Sequence, residues 1–141
     1  MAYSALADIQ DRISPEELVR LTDDADAGAV DEARVTAAIA DADAEIDAYC
    51  GTRYAVPLSP VPPMIARISG DLAAYALFSR RPPLDDIQVA RRKAAIDFLE
   101  KVAAGRVSLG VDDPDTTPAP FHSPDITSSD RQFSREGLKG F

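Results

Sequence analysis

"DEARVTAAIADADAEIDAYC", Asp31 to Cys50, is the stretch of sequence that decides the fold. Its apolar residues recur at spacings of four, three, four and three, which places them on one face of a helix: Val35, Ile39, Ala42, Ile46 and Tyr49. Gly51 follows directly, at the position where a left-handed C-terminal cap is usual. The pattern predicts one long amphipathic helix from Asp31 to Cys50.

The segment before this helix carries the start signals of a shorter one. Ser14 is a suitable N-cap, Pro15 fits the first helical position, and Glu17 sits where a capping box needs it. These signals predict a helix from Pro15 to Leu21. The preceding "SALADIQDRI" predicts a second short helix.

The connection after the long helix is stiffened by four prolines within seven residues: Pro57, Pro60, Pro62 and Pro63. The last two can occupy the first turn of another helix, which is predicted to end near Arg80–Arg81. Its apolar stripe is Ile65, Ile68, Leu72, Tyr75 and Phe78. A P-x-x-P ligand for an SH3-type domain is the alternative reading, but a structural connector between two core helices is favoured.

After the break "RPPLDD", Asp85 or Asp86 can cap a further helix that Gly105 closes. The apolar stripe predicted to face the core consists of Ile87, Ala90, Ala94, Phe98 and Val102. The next residues, "RVSLGV", predict a short extended piece, with a strand as one option. The fold expected for residues 1–111 is therefore all-α, a small bundle of four to five helices.

From Asp112 the composition changes to Pro, Asp, Ser and Thr without apolar periodicity, and such a segment cannot bury enough surface to fold alone. The chain then ends in alternating basic and apolar residues: Arg131, Phe133, Arg135, Leu138, Lys139 and Phe141. We expect residues 112–141 to form a long extended tail. Its end is either a terminal anchor or a frayed terminus.

The composition narrows the class of function. A net charge of −9 argues against a generic nucleic-acid binder, because a phosphate backbone favours clustered Lys and Arg. The single Cys50 excludes an internal disulfide, and the N-terminus lacks the basic start of a secretory signal. No apolar run reaches the roughly 18–20 residues of a membrane span, so no membrane partner is expected.

No motif supports an enzyme, a cofactor or a metal site. The carboxylates of Asp41–Asp47 resemble a calcium loop, but they lie within the best-predicted helix and cannot converge on one ion. His122 lies beside Ser123 in the Pro-rich tail, where a rigid catalytic triad is not expected. Cys50 is interpreted as a small core residue at a helix end, and a phosphate-binding loop is absent.

Charge is unevenly divided along the chain. Residues 23–47 carry −8, whereas residues 80–106 carry +3. Opposite charges of this kind can pair within one subunit, or head-to-tail between identical subunits, which generates a ring if the rotation closes. Ordinary solvated helix faces are the third possibility.

Three stretches resemble the Mu-like bacteriophage proteins that are grouped with head–tail connector, or head-completion, proteins. They are "EIDAYCGTRYAVPLSPVPPMI" (Glu45–Ile65), "AAIDFLEKVAAGRVSLG" (Ala94–Gly110) and the terminal "RQFSREGLKGF". With "SPEELVRLTDD" near the N-terminus, the resemblance spans nearly the whole chain. Cys50 departs from the pattern, where an aliphatic residue is expected.

The resemblance implies a structural virion protein without enzymatic activity. It implies an adaptor ring, expected to be a dodecamer that matches the portal, which docks neck or tail-completion proteins and extends the channel for genomic DNA. The location implied is the virion neck, after synthesis in the host cytoplasm. The expected contact residues are Arg53, Tyr54, Arg91 and Arg92, together with the six tail residues named above. The alternative is a regulatory or DNA-binding protein that uses Arg91, Arg92 and Lys93.

Overall fold

The computed structural model describes residues 1–111, in which five α-helices and no strand are present. The helices are α1 (Leu6–Gln10), α2 (Pro15–Thr22), α3 (Glu32–Cys50), α4 (Pro63–Ser79) and α5 (Asp86–Ala103). The predicted all-α bundle is confirmed. The predicted tail, residues 112–141, and its basic and apolar anchor residues lie outside the described part of the chain.

The predicted helix starts are confirmed by the caps. The Ser14 hydroxyl accepts a hydrogen bond from the Glu17 N–H (3.3 Å), and Asp31 accepts from the Ala33 N–H (3.0 Å). Asp85 accepts in the same way from the Ile87 N–H (3.2 Å). Each cap satisfies a backbone donor that has no partner within its own helix.

The core lies where α3, α4 and α5 pack together, and α1 and α2 close it against α3 and α4. Its largest fully buried side chains come from all five helices and the proline loop: Ile9, Leu18, Leu21, Val35, Ile46, Leu58, Ile65, Leu72, Leu77, Leu99 and Val102. Burying each such side chain stabilises the fold by about 1.5–3 kcal/mol. Among these five helices, none combines the length and the apolar character of a bilayer span.

The cap predicted at Gly51 is wrong. Gly51 has φ −61°, a right-handed conformation, and its N–H donates to the Asp47 carbonyl (2.8 Å). The chain continues in a tight turn in which the Tyr54 N–H donates to the Cys50 carbonyl (2.9 Å). Glycine is required here for space, because a Cβ would lie 2.8 Å from the Asp47 carbonyl oxygen. Gly105, by contrast, has φ +73° after α5, as the predicted closure requires.

The core face predicted for α5 is confirmed at Val102 and wrong at Ile87, Ala90 and Ala94. Leu99 and Val102 are fully buried, whereas Ile87 is 57% exposed and Ala90 and Ala94 lie on the surface. The helix carries two apolar stripes roughly 100° apart, and the sequence pattern selected the outer one. The observed rotation buries Leu99 and Val102, and it places Arg92 on α3, where it pairs with Glu45.

The segment 106–111, predicted to be extended and a possible strand, forms no strand. Val107, Leu109 and Val111 are half-buried and pack against the core. The Leu109 N–H donates to the Tyr54 hydroxyl (3.1 Å), which ties this segment to the proline loop. The segment therefore closes the end of the bundle at which α3 and α5 finish.

The rotation of α5 can be tested by comparing two truncations. Leu99→Ala is expected to lower the free energy of unfolding by about 2–5 kcal/mol, because it leaves a cavity in the core. Ile87→Ala is expected to change it by less than about 0.5 kcal/mol, as for other surface positions. Urea unfolding followed by circular dichroism measures both, and a larger effect at Ile87 would contradict the described rotation.

Candidate functional site

A buried carboxylate in the middle of α3 joins three parts of the chain. Asp43 is 8% exposed; it accepts hydrogen bonds from the Tyr3 N–H (2.9 Å) and from the Ser69 hydroxyl on α4 (2.6 Å). Because the Ser69 proton is used by Asp43, the Ser4 hydroxyl donates to the Ser69 oxygen (2.7 Å). Asp43 thus fixes the N-terminal segment and α4 against α3.

Tyr3 extends this network to the proline loop. Its hydroxyl donates to the Asp47 carboxylate, one turn further along α3, and accepts from the Leu58 N–H (2.8 Å). Burial raises the pKa of the Tyr3 phenol well above its ordinary value, and the bond to Asp47 raises it further. The hydroxyl therefore stays protonated and serves as a fixed link between helix and loop.

The geometry of these groups indicates a structural role. Both carboxylate oxygens of Asp43 are used by protein donors, and the run Asp41–Asp47 is divided between the core and the solvent. Asp43 is buried, while Asp41 is exposed. Within residues 1–111, no group of three or more His, Cys, Asp or Glu side chains is arranged to hold a metal ion.

Cys50 lies at the end of α3 as a fully buried side chain. Burial raises the pKa of its thiol to about 11, with a smaller contribution from the charge of Asp47. A neutral, enclosed thiol is a poor nucleophile. Cys50 therefore packs as a small core residue, as its position at a helix end suggests.

The proline loop holds Arg53 and Tyr54, which were predicted to contact an adjoining subunit. Tyr54 is 4% exposed and its hydroxyl binds the Leu109 N–H, so its side chain belongs to the core of this chain. Arg53 is half-buried, with its guanidinium 5.8 Å from the centre of the Tyr54 ring. A Cβ at Gly105 would lie 3.1 Å from that guanidinium, so the glycine leaves room for Arg53. The loop fixes how α3 meets α4 and α5.

Two ion-pair clusters account for part of the uneven charge. Asp24 pairs with Arg80, Arg34 (3.0 Å) and Arg81 (3.4 Å), and Arg80 lowers the pKa of the Asp24 carboxyl. Arg80 also donates to the Leu21 carbonyl (2.7 Å), which ties the end of α4 to α2. These arginines therefore pair with acidic residues within one subunit, which is one of the three possibilities that the uneven charge left open.

The second cluster holds α5 against α3 and α4. The Arg92 guanidinium donates to both oxygens of Glu45 (3.1 and 3.2 Å) and lies 4.9 Å from the centre of the Tyr75 ring. A bidentate pair stacked on an aromatic ring is a specific use of arginine. Arg92, predicted as a contact for other molecules, is engaged within this chain.

The basic triplet on α5 does not form a patch. Arg91 and Lys93 are exposed, but they are two residues apart and therefore point about 200° apart around the helix. Neither makes an ion pair with any residue in the described range 1–111. The arrangement does not supply the clustered charge that phosphate binding requires.

An apolar surface remains on α5, and we call it the α5 stripe: Ile87, Ala90, Ala94 and Phe98. It borders a groove between α4 and α5 with a volume of about 230 Å³, lined by Met64, Ile68, Ala94 and Phe98 and rimmed by Arg67 and Arg91. Ile87 is 57% exposed and Met64 is 44% exposed. The α5 stripe is the surface that best fits a partner.

A second, wider groove lies beside the N-terminal segment. It has a volume of about 590 Å³ and is lined by Met1, Leu6, Ile39, Pro57 and the Asp47 side chain, among others. Ser4, Asp43 and Asp47, which belong to the hydrogen-bond network described above, also line it. Sequence reasoning missed this network because Tyr3 carries no motif. The signal for Asp43 was its spacing of four from Ile39 and three from Ile46.

Comparison with known proteins identifies relatives among bacteriophages. The family model described as "Bacteriophage Mu, Gp36" matches residues 3–127. The Mu-like prophage FluMu protein gp36 of Haemophilus influenzae is 37% identical over 116 residues, which cover 82% of this chain and 81% of the relative. Gene product J of Escherichia phage Mu is 31% identical over 113 residues, 79% of each chain.

The buried carboxylate can be tested against its exposed neighbour on α3. Asp43→Ala is expected to lower the free energy of unfolding by about 2–4 kcal/mol, because the Tyr3 N–H and the Ser69 hydroxyl lose their acceptor. Asp41→Ala is the matched control and is expected to change it by less than about 0.5 kcal/mol. Urea unfolding measures both, and equal effects would contradict the role of Asp43.

Proposed function

Since the chain belongs to the Bacteriophage Mu, Gp36 family, we propose that it is a structural virion component, a head–tail connector. In this role it forms a ring below the portal, extends the channel for the genomic DNA and docks neck or tail-completion proteins. The activity is assembly, not catalysis. Its place is the neck of the particle.

The family match over residues 3–127 is the observation that carries this proposal. It covers the whole bundle, and the alignments cover 81% and 79% of the two curated relatives. The similarity therefore extends over most of the length of two small phage proteins, and it is not limited to one module of a large enzyme. The resemblance to connector proteins in the helix end, the proline loop and the terminal peptide supports the more specific role.

The surface of the bundle supports assembly. The polar groups of the Asp43 network are all engaged, whereas Ile87, Ala90 and Ala94 of the α5 stripe are exposed. Contiguous exposed apolar surface on a small protein commonly marks a protein contact. A connector subunit needs at least one such face, because each copy in a ring contacts its neighbours.

Charge supports a conduit more than a DNA-binding protein. With a net charge of −9, the chain repels a phosphate backbone and lets DNA pass without sequence-specific contact. The DNA-binding alternative relied on Arg91, Arg92 and Lys93. It is not proposed, because Arg92 is engaged by Glu45 and the other two point in opposite directions.

The terminal peptide is proposed as the anchor to the portal or to a neighbouring subunit. Its basic and apolar residues, from Arg131 to Phe141, supply the charged and apolar groups for such a contact. The proline-stiffened connection between α3 and α4 presents a bundle of fixed shape for that assembly.

The connector role is tested by mixing the full chain with purified portal rings and sedimenting the complex. We expect stoichiometric co-sedimentation and a ring on the portal in negative-stain images. A chain that ends at Val111 is expected to keep its helical circular dichroism and to lose most portal binding. Absence of co-sedimentation with intact portal rings would contradict the role, and binding to random duplex DNA with a Kd of about 1 μM would favour the DNA-binding alternative.

A further inference from the structure

We propose that the α5 stripe, with the groove between α4 and α5, is the contact for a second copy of this chain, whose outward α3 face occupies it. The inference rests on the proposed function in one respect, because a ring needs a repeated contact between unlike surfaces. Beyond that function, the inference specifies which two surfaces of neighbouring subunits are in contact and which charges orient them.

The first argument is that α5 has two apolar faces. The buried face, with Leu99 and Val102, packs into the bundle. The α5 stripe recurs at spacings of three, four and four, as a second packing face does, yet its Ile87 is 57% exposed. Met64 continues this surface from the first turn of α4 and is 44% exposed. The apolar pattern is that of a core helix, and within residues 1–111 only one face of it is covered.

The second argument excludes two identical faces meeting. The groove is also lined by Asp71, which is already paired with Arg12 (3.3 Å) and Arg67 (3.9 Å). Arg91 lies on the groove rim, is exposed, and makes no ion pair with the part of the chain that the structure describes. A two-fold contact of the α5 stripe with itself would bring the Arg91 side chains of both copies together in a region emptied of water. Like charges placed this way oppose association. The occupant must therefore bring acidic groups.

The outward face of α3 has the required charge and shape. Asp41 is exposed there, on the helix that lies within the acidic segment of the chain. Five exposed alanines lie beside it, and small residues let another helix approach closely: Ala33, Ala37, Ala40, Ala44 and Ala48. Arg34, two turns before Asp41 on the same side, is exposed and is paired with Asp24 and Asp31. The apolar side chains of the α5 stripe can pack across these alanines while Arg91 reaches Asp41.

The position of the two surfaces fits a head-to-tail contact. The outward face of α3 lies on the other side of the helix from Ile46 and Val35, which pack into the core. Its Asp41 lies one turn from Glu45, which pairs with Arg92 of α5. The α5 stripe borders α4. One subunit can therefore use its α5 stripe on one neighbour and its α3 face on the other, which is the arrangement that closes into rings.

Sedimentation velocity of the full chain over a concentration series is the test. The wild-type chain is expected to self-associate at concentrations below about 1 mM, a generous limit for a specific contact. Ile87→Glu is expected to weaken association at least about tenfold, because it places a charge in the apolar contact. Val89→Glu is the matched control: Val89 is 46% exposed on the same helix but lies off the α5 stripe, and we expect no change.

A charge exchange then identifies the occupant. Arg91→Glu and Asp41→Arg are each expected to weaken association, and the double variant is expected to restore it at least in part. Wild-type chain that stays monomeric to about 1 mM would overturn the proposal, as would equal effects of Ile87→Glu and Val89→Glu. If the Asp41 variant associates normally, another occupant, such as residues 130–141, fills the groove and the proposal is also overturned.

These outcomes are separable from those of the portal experiment. If the wild-type chain binds portal rings and its Ile87→Glu variant associates normally, the connector role stands and this contact is overturned. A chain that fails to bind the portal but shows the charge exchange retains the contact and loses the connector role.

Discussion

The buried carboxylate of Asp43 is the constraint on which the rest of the structure depends. A charge in the core must be matched by donors, and Asp43 obtains them from the N-terminal segment and from α4. Tyr3 then carries the same network to the proline loop through Leu58. One polar group on α3 thereby sets the positions of three other segments, because leaving any donor unpaired in the core would cost free energy.

The remaining helix, α5, is held by apolar burial and by the contacts of Arg92, and these interactions determine which of its residues face the solvent. Leu99 and Val102 bury one face, and Arg92 fixes the rotation through its two bonds to Glu45 and its contact with Tyr75. With that rotation fixed, Ile87 must face outward. The apolar α5 stripe is a consequence of how the bundle closes, and it is the surface that we propose a neighbouring subunit covers in a connector ring.

The helices could be predicted from the sequence, whereas the rotation of α5 and the buried polar network around Asp43 could not. Capping residues and apolar spacing located the helices to within about two residues, because these signals are local. The rotation of α5 was misjudged because alanines lie on both of its apolar faces, so local spacing does not distinguish them. The contact that marks the observed rotation, between Arg92 and Glu45, joins residues 47 positions apart. The hydrogen-bond network of Asp43 was not predicted for the same reason, since its donors on Tyr3 and Ser69 are distant in the sequence. The α3–α4 loop was correctly interpreted as a spacer, although Tyr54 lies in the core and not at an outer contact.

The family, the charge and the surface lead to one account: a rigid acidic bundle that serves as a repeated unit around a DNA channel. The most direct test is a cryo-electron microscopy map of the portal bound to the full chain. The account predicts a ring of bundles below the portal, in which the α5 stripe of each copy lies on the α3 face of the next. A map in which the chain is absent from the portal, or in which every α5 stripe faces solvent, would contradict it.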